Sequence, residues 1–367
     1  SVARTASEIV QIGQDGLQVD GVVALTQWAL IGLVEALGSV ETHQGPVQAD
    51  GLLNALEDGT DEDGRAFMNS VFEGLLDQIS GPSINGSLFQ LARAMSVSFT
   101  EKQTLVHMFD DDLQAIVARA GWDGSIPSGE GDRLVPVDSN IGWSKVDRNI
   151  DRTLEYEVTL NRTGWSTGKI TLGYKNHSRQ NSSECGPQTL NPGASYEELK
   201  NTCYWNLIRI YTAVGGSLIS ADPLPLPDQS VYSVLGLGGS GDDTVSVGFG
   251  PGGTFVTGLL LVPPGVEIRT SFTVQIPPSA VVWGGDRATY TLDLAAQPGT
   301  LGRKTTIRID LPTDYEFVGA SIKPTSIVGK SVTFDLPLTE DAILSVDMQQ
   351  TEMPIAALIA HGPVDLP

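Results

Sequence analysis

The spacing of apolar residues along the chain changes once, near residue 150. Over residues 153–160, Leu154, Tyr156, Val158 and Leu160 alternate with Thr153, Glu155, Glu157 and Thr159. That period of two predicts a strand with one buried face. Upstream, the spacing is helical. "GVVALTQWALIGLVEALGSV" opens as a strand at Val22, Val23, Ala24 and Leu25. It continues as a helix with Leu30, Leu33, Val34 and Leu37 on its apolar side, stopped by Gly38,. Phe67, Val71, Leu75 and Ile79 form the stripe of a second helix, and "SLFQLARAMSVSF" predicts a third,. "KQTLVHMF" is a strand, and "DDDLQAIVARAGW" a helix capped by Asp110 or Asp111 and ended by Gly121,. Alternating strands and helices predict an α/β or α+β unit.

Residues 123–150, rich in Gly, Ser, Pro and Asp, read as a linker,. Beyond them almost every periodic segment is a strand: 153–160, 168–175, 203–212, 254–262 and 267–276. A further series follows at 288–295, 304–311, 315–320, 326–335, 341–348 and 354–361. Spacings of about 8–12 residues with turn signals between them are those of β-sandwiches. The expected architecture is therefore multidomain α+β. An N-terminal α/β domain spans 1–135, a β-sandwich of immunoglobulin-like type spans 136–284, and a second sandwich spans 285–367.

Composition narrows the function classes. Gly and Pro together number 62 of 367 residues, in keeping with a turn-rich β protein. The net charge of −22 would repel phosphate backbones and excludes a nucleic-acid partner,. Residues 1–130 hold 19 acidic and 5 basic side chains, so the helical part carries −14 of that charge. No apolar run is long enough to span a membrane. The chain starts at Ser1 without Met, which reads as a processed or truncated product.

Candidate chemistry is sparse. Cys185 and Cys203, 18 residues apart across a polar loop, are expected to form a disulfide worth about 3 kcal/mol by loop entropy,. "EDGTDEDG" (57–64) fails the EF-hand register and reads as a solvated loop. "GGSGDDTVS" (238–246) matches a single calcium-binding nonapeptide, making Asp242 and Asp243 candidate calcium ligands. That motif works by stacking tandem turns, and a single copy reads as a hairpin loop. His43, His107, His177 and His361 lack metal-ligand spacing. No nucleophile elbow, phosphate loop or dinucleotide fingerprint occurs. Sequons place candidate glycosylation at Asn85, Asn161, Asn176 and Asn181,. Trp165, Trp205 and Trp283 are candidate sugar platforms, with burial in a sandwich core the competing fate.

Five segments then occur in order: "VDGVVALTQWALIGLVEALGSVET", "KQTLVHMFDDDLQAIVARAGWDGSI", "VDSNIGWSKVDRNIDRTLEYEVTL", "GLLLVPPGVEIRTSFTVQIP" and "YTLDLAAQPGT". Together they resemble the second half of the bacterial domain of unknown function 4012 with its β-rich extension, over most of residues 15–310. The resemblance implies a cell-envelope protein in which Val137–Lys145 leads out of an α/β domain and 147–160 forms the first sandwich strand. "VDGVVAL…LVEALGSV" is also similar to LytR-CpsA-Psr phosphotransferases, which attach glycopolymers to the cell wall. Their Arg and Asp pyrophosphate ligands come from an earlier part of that fold. No position here matches them, so no catalytic residue carries over.

These readings converge on a non-enzymatic extracellular structural protein of a bacterial envelope: a surface-layer, sheath or filament subunit. The alternatives are a processed part of a glycopolymer transferase and a carbohydrate-binding adhesive module. The expected partners are other copies of the chain and cell-wall glycan, and no cofactor is expected beyond the calcium candidate. "EMPIAALIAHGPVDLP", with Ile355, Ala357, Leu358 and Ile359 between prolines, reads as a terminal edge strand. It would either complete its own sandwich or pair with another chain.

Overall fold

A computed structural model describes residues 2–13, 16–58, 62–81, 87–126, 129, 131–162, 164–179, 185, 194–250 and 252–351. It opens with α1 (Val2–Gly13), β1 (Gly21–Leu25) and α2 (Gln27–Leu37). Thr26 makes the strand-to-helix switch. Its backbone is extended, and its hydroxyl accepts the Ala29 amide at 3.2 Å, satisfying a donor that the helix leaves free,. The hairpin β2 (Val40–Thr42)–β3 (Gly45–Val47) follows, then α3 (Ala49–Asp58), α4 (Glu62–Ser80), α5 (Leu88–Thr100), β4 (Thr104–Met108) and α6 (Asp111–Arg119). Asp110 is the cap of α6, with Oδ1 accepting the Leu113 amide at 2.9 Å. β1 and β4 pair antiparallel as a two-stranded sheet. Leu30, Val34, Val40, Leu52, Phe67, Val71 and Leu75 make a small core of their own. The expected stripe on α4 therefore faces inward, with Ile79 half-buried at its end.

The rest of the chain is sheet. In order come β5 (Asp132–Asn140), β6 (Ile150–Thr159), β7 (Ser166–Asn176), the short α7 (Tyr196–Lys200), β8 (Tyr204–Thr212), β9 (Ser217–Ala221), β10 (Ser246–Gly250), β11 (Gly253–Val262) and β12 (Glu267–Ile276). They are followed by β13 (Val281–Gly284), β14 (Arg287–Leu294), β15 (Lys304–Asp310), β16 (Tyr315–Ala320), β17 (Ser326–Val328), β18 (Ser331–Leu336) and β19 (Ala342–Gln350). One sheet runs β10-β11-β8-β5-β14-β19-β16, with β13 paired to β14; the other runs β17-β18-β15-β6-β7-β12-β9. The protein is thus α+β, dominated by two large sheets.

Both sheets run through the whole β region. β5 pairs parallel with β14, and β6 pairs parallel with β15, in register from Thr153↔Lys304 to Thr159↔Asp310. A single apolar cluster from Leu134 to Met348 fills the space between the sheets. Strands from residues 136–284 and from residues after 285 therefore share both sheets and one core. The 284/285 boundary expected from sequence falls in the turn of the β13–β14 hairpin.

Two expectations need correction. The segment 123–150 is not a linker, because β5 occupies it and sits in the middle of its sheet. Six of the nine residues of β5 are buried, the first five in an unbroken run, so the polar–apolar alternation that would have marked a strand is missing,. The stretch 326–335 is not one strand but a hairpin, with Gly329 at φ +60 in its turn,. The expected strand 354–361, with Ile355, Ala357, Leu358 and Ile359, lies outside the described residues.

The helical unit docks on the sandwich through the turn before β4. The Lys102 ammonium meets Asp341 at 2.7 Å, and its carbonyl accepts the Gly299 amide at 3.0 Å. Gln103 donates through Nε2 to the Thr300 carbonyl at 2.6 Å and accepts the Thr26 hydroxyl at 2.8 Å. These bonds place the first turn of α2 beside the loop that joins β14 to β15.

Candidate functional site

Where that turn meets the sandwich, an open cleft of about 790 Å³ lies between α2, the β5–β6 connector, α7 and the β14–β15 loop. The connector "NIGWSK" is held by Asn140. Its Oδ1 accepts the Gly142 amide, and its Nδ2 donates to the Ser144 carbonyl and to Asp147. Gly302 is fixed in the opposite loop. Its φ is +86, and a Cβ there would stand 2.9 Å from the Pro337 carbonyl,.

Beneath the cleft lies a buried charge cluster centred on Asp138 of β5. Oδ1 accepts the Tyr174 hydroxyl at 2.6 Å and the Asn206 amide at 2.8 Å. Oδ2 accepts Arg152 Nε at 3.1 Å and a close contact from Arg303 Nη2. Burial alone would raise the pKa of this carboxyl,. Arg303 and Arg152, with Asn206 and Tyr174 donating, outweigh it and hold the group below the usual carboxylate range,. Arg152 has further partners in Asp147 at 2.7 Å and the Tyr204 hydroxyl at 3.0 Å. Arg303 is less well served. Its side chain is 6% exposed, and its Nη1 has no hydrogen-bond partner among the described residues.

A second buried carboxylate, Asp132, starts β5. Its Oδ2 accepts the hydroxyls of Tyr156 at 2.7 Å and Tyr290 at 2.6 Å, and Oδ1 accepts the Arg133 amide. Here burial wins over those donors and pushes the carboxyl up to about 6,. The two ends of β5 thus hold carboxylates displaced in opposite directions, one beside arginines and one among tyrosines.

The residues singled out from sequence fall mostly elsewhere. Cys185 and Cys203 are bonded, with Cα atoms 5.7 Å apart. The bond closes the loop that carries α7, whose Leu199 carbonyl accepts the Lys145 amide at 2.9 Å at the cleft wall. Asp242 and Asp243 serve backbone amides: Asp242 accepts that of Gly239, and Asp243 those of Leu224 and Val245. Among the described residues, no group of three or more His, Cys, Asp or Glu side chains gathers as a metal site. Asn176 is 0% exposed and donates its amide to the Thr202 and Val262 carbonyls, so its side chain is committed to the fold. Asn161 is exposed at the end of β6, whereas Asn85 and Asn181 lie outside the described residues. Trp205 is buried, Trp283 stands edge-on to Tyr315, and Trp165 is exposed, so the three do not form a common platform.

Sequence reasoning missed Asp138, Arg152 and Arg303. The one available signal was a charged residue within the apolar run "RLVPVD", and the linker reading hid it.

No family model matches the sequence, and no curated protein matches it. Among solved structures, an M1 zinc metallopeptidase from Deinococcus radiodurans aligns at TM-score 0.28 and 14% identity, over 55% of this chain and 42% of that one. A putative nutrient binding protein from Legionella pneumophila aligns at TM-score 0.28 and 9% identity, over 60% and 71%. The folded domain of the LppM protein of Mycobacterium tuberculosis aligns at TM-score 0.23 and 10% identity, over 55% and 91%. The chain spans under half the length of the metallopeptidase. Likenesses this distant carry no argument about activity.

Proposed function

We propose that the chain is a non-enzymatic, extracellular structural protein of a bacterial cell envelope, acting as a surface-layer, sheath or filament subunit. In this reading the N-terminal α/β domain ends where β5 begins, and two immunoglobulin-like sandwich segments follow, the first up to residue 284 and the second from 285 on. The segments are joined side by side through the β5–β14 and β6–β15 pairings. The disulfide supports an oxidising compartment,. No helix among the described residues is long and apolar enough to cross a membrane.

The observation that carries the proposal is a pair of sheet edges that no strand among the described residues covers. β10 ends the half built from the first segment and leaves Phe249 80% exposed; β17 ends the half built from the second and leaves Val328 74% exposed. Unpaired strand edges with apolar side chains are templates for pairing with another chain. Two different edges on opposite halves favour head-to-tail contacts, which grow as open filaments unless they close into a ring. A second copy of this chain is the partner they fit.

The proposal is tested by purifying the chain and following its size by light scattering as concentration rises. Growth that Val328→Lys stops, with unchanged melting, supports it. A multi-turnover transfer of glycan from a polyprenyl pyrophosphate by this chain would replace it with the transferase reading.

A further inference from the structure

The protein carries a net charge of −22, yet five of its 22 basic side chains line one cleft. Lys145, Arg148, Arg152, Arg303 and Lys304 line it together with two carboxylates, Asp147 and Asp151, while Asp138 beneath the cleft engages Arg152 and Arg303. Both lining acids are already engaged: Asp147 with Arg152 and Asp151 with His177, each at 2.7 Å. The ammonium groups of Lys145 and Lys304 are exposed and have no ion-pair partner among the described residues.

Gathering exposed cations costs free energy unless an anion offsets their repulsion. Arg303 adds an independent sign. A guanidinium nitrogen buried without an acceptor is a desolvation cost, and an entering oxyanion could relieve it after a small side-chain shift,. The N-terminus of α2, an eleven-residue helix, opens on the same space through Gln27 and Trp28. Its dipole adds positive potential there. Trp28 and Tyr196 are half-buried in the lining, offering flat apolar surface beside the charge,. The volume of about 790 Å³ lies in the range of small-ligand clefts, roughly 300–1,000 Å³,.

We infer that this cleft binds a sugar bearing an oxyanion, with the lysines and Arg303 taking the anionic group and Trp28 and Tyr196 taking the ring. The oxyanion can be a phosphate or a carboxylate, since arginine and lysine serve both. The inference goes beyond the assembly reading, and neither falls with the other, because the cleft is formed without β10 or β17.

The test is calorimetric titration at low salt with glucose 1-phosphate, glucuronate, glucose and inorganic phosphate. At least one anionic sugar should bind about tenfold more tightly than both glucose and inorganic phosphate. Which of the two it is assigns the anion. The double variant Lys145→Ala/Lys304→Ala, at exposed positions, should melt like the parent and lose about tenfold in affinity. Trp28→Leu should bring the anionic sugar down to the level of inorganic phosphate. Equal affinity for glucose, no heat with either anionic sugar, or unchanged binding in the double lysine variant would overturn the inference. Inorganic phosphate binding as tightly as the sugars would refute the role of the ring.

Discussion

Replacing Asp138 by Asn should cost far more than a surface charge change, and the structure shows where the loss falls. The carboxylate accepts four donors, two of them from guanidinium groups. Asn keeps the shape but removes the charge. Arg152 retains Asp147 and the Tyr204 hydroxyl, so its share of the loss is small. Arg303 retains no carboxylate among the described residues and is 6% exposed. Stranding a buried cation typically costs about 3–5 kcal/mol, a large part of a total stability of about 5–15 kcal/mol. A double cycle isolates the pair. Arg303→Met in the Asp138→Asn background should recover most of the loss, giving a coupling energy of about 2–3 kcal/mol. Urea unfolding of the four proteins measures it. A coupling below about 1 kcal/mol, the value of an exposed pair, would refute the reading of Arg303 as a buried cation that depends on Asp138.

Other expectations can be checked singly. The Asp132 carboxyl is held near 6 in the fold against 3.8 unfolded, so the folded state binds the extra proton between those values. This group's contribution should therefore fall by about 3 kcal/mol as pH rises from 4 to 6 and stay flat above. The difference in urea midpoint between the parent and Asp132→Asn should trace that fall. Asp138 has the opposite sign, since its lowered value stabilises above the ordinary carboxylate range and is lost only on acidification,. Gly168→Ala would put a Cβ 2.5 Å from the Tyr156 hydroxyl and should destabilise by about 1–3 kcal/mol in thermal unfolding,. A thiol assay on denatured, unreduced protein should titrate no cysteine; two thiols per chain would contradict the Cys185–Cys203 bond. Deleting 353–367 should leave a folded chain that assembles less if this segment pairs between copies. A cooperative loss of melting temperature, with assembly intact, would assign it to its own sandwich.

The helices and most strands were legible because each buries one face. The stripe on α4 and the alternation in β6 record directly which side meets a core. β5 left no such record. It is covered on both faces, and its Pro136 and charged residues mimic a linker. The hairpin at 326–335 was read as one strand across Gly329-Lys330, a turn signal that interrupts the apolar pattern between Val328 and Val332,. Partnership was not legible either. Alternation says that a residue is in a strand, but not which strand lies beside it, and the parallel β5–β14 and β6–β15 pairings join segments about 150 residues apart. The cleft stayed hidden for the same reason, since its cations come from the β5–β6 and β14–β15 regions and meet only once those strands pair. The disulfide was legible because two cysteines leave one pairing.

The assembly claim is tested most directly by electron microscopy and sedimentation of the purified chain beside Phe249→Lys and Val328→Lys. Both side chains are exposed on edge strands, so neither change should disturb folding, and a lysine on an edge blocks strand addition,. Filaments or sheets from the parent, and monomers from either variant, are the expected result. A parent chain that remains monomeric at high concentration, or variants that assemble as the parent does, would contradict the structural role.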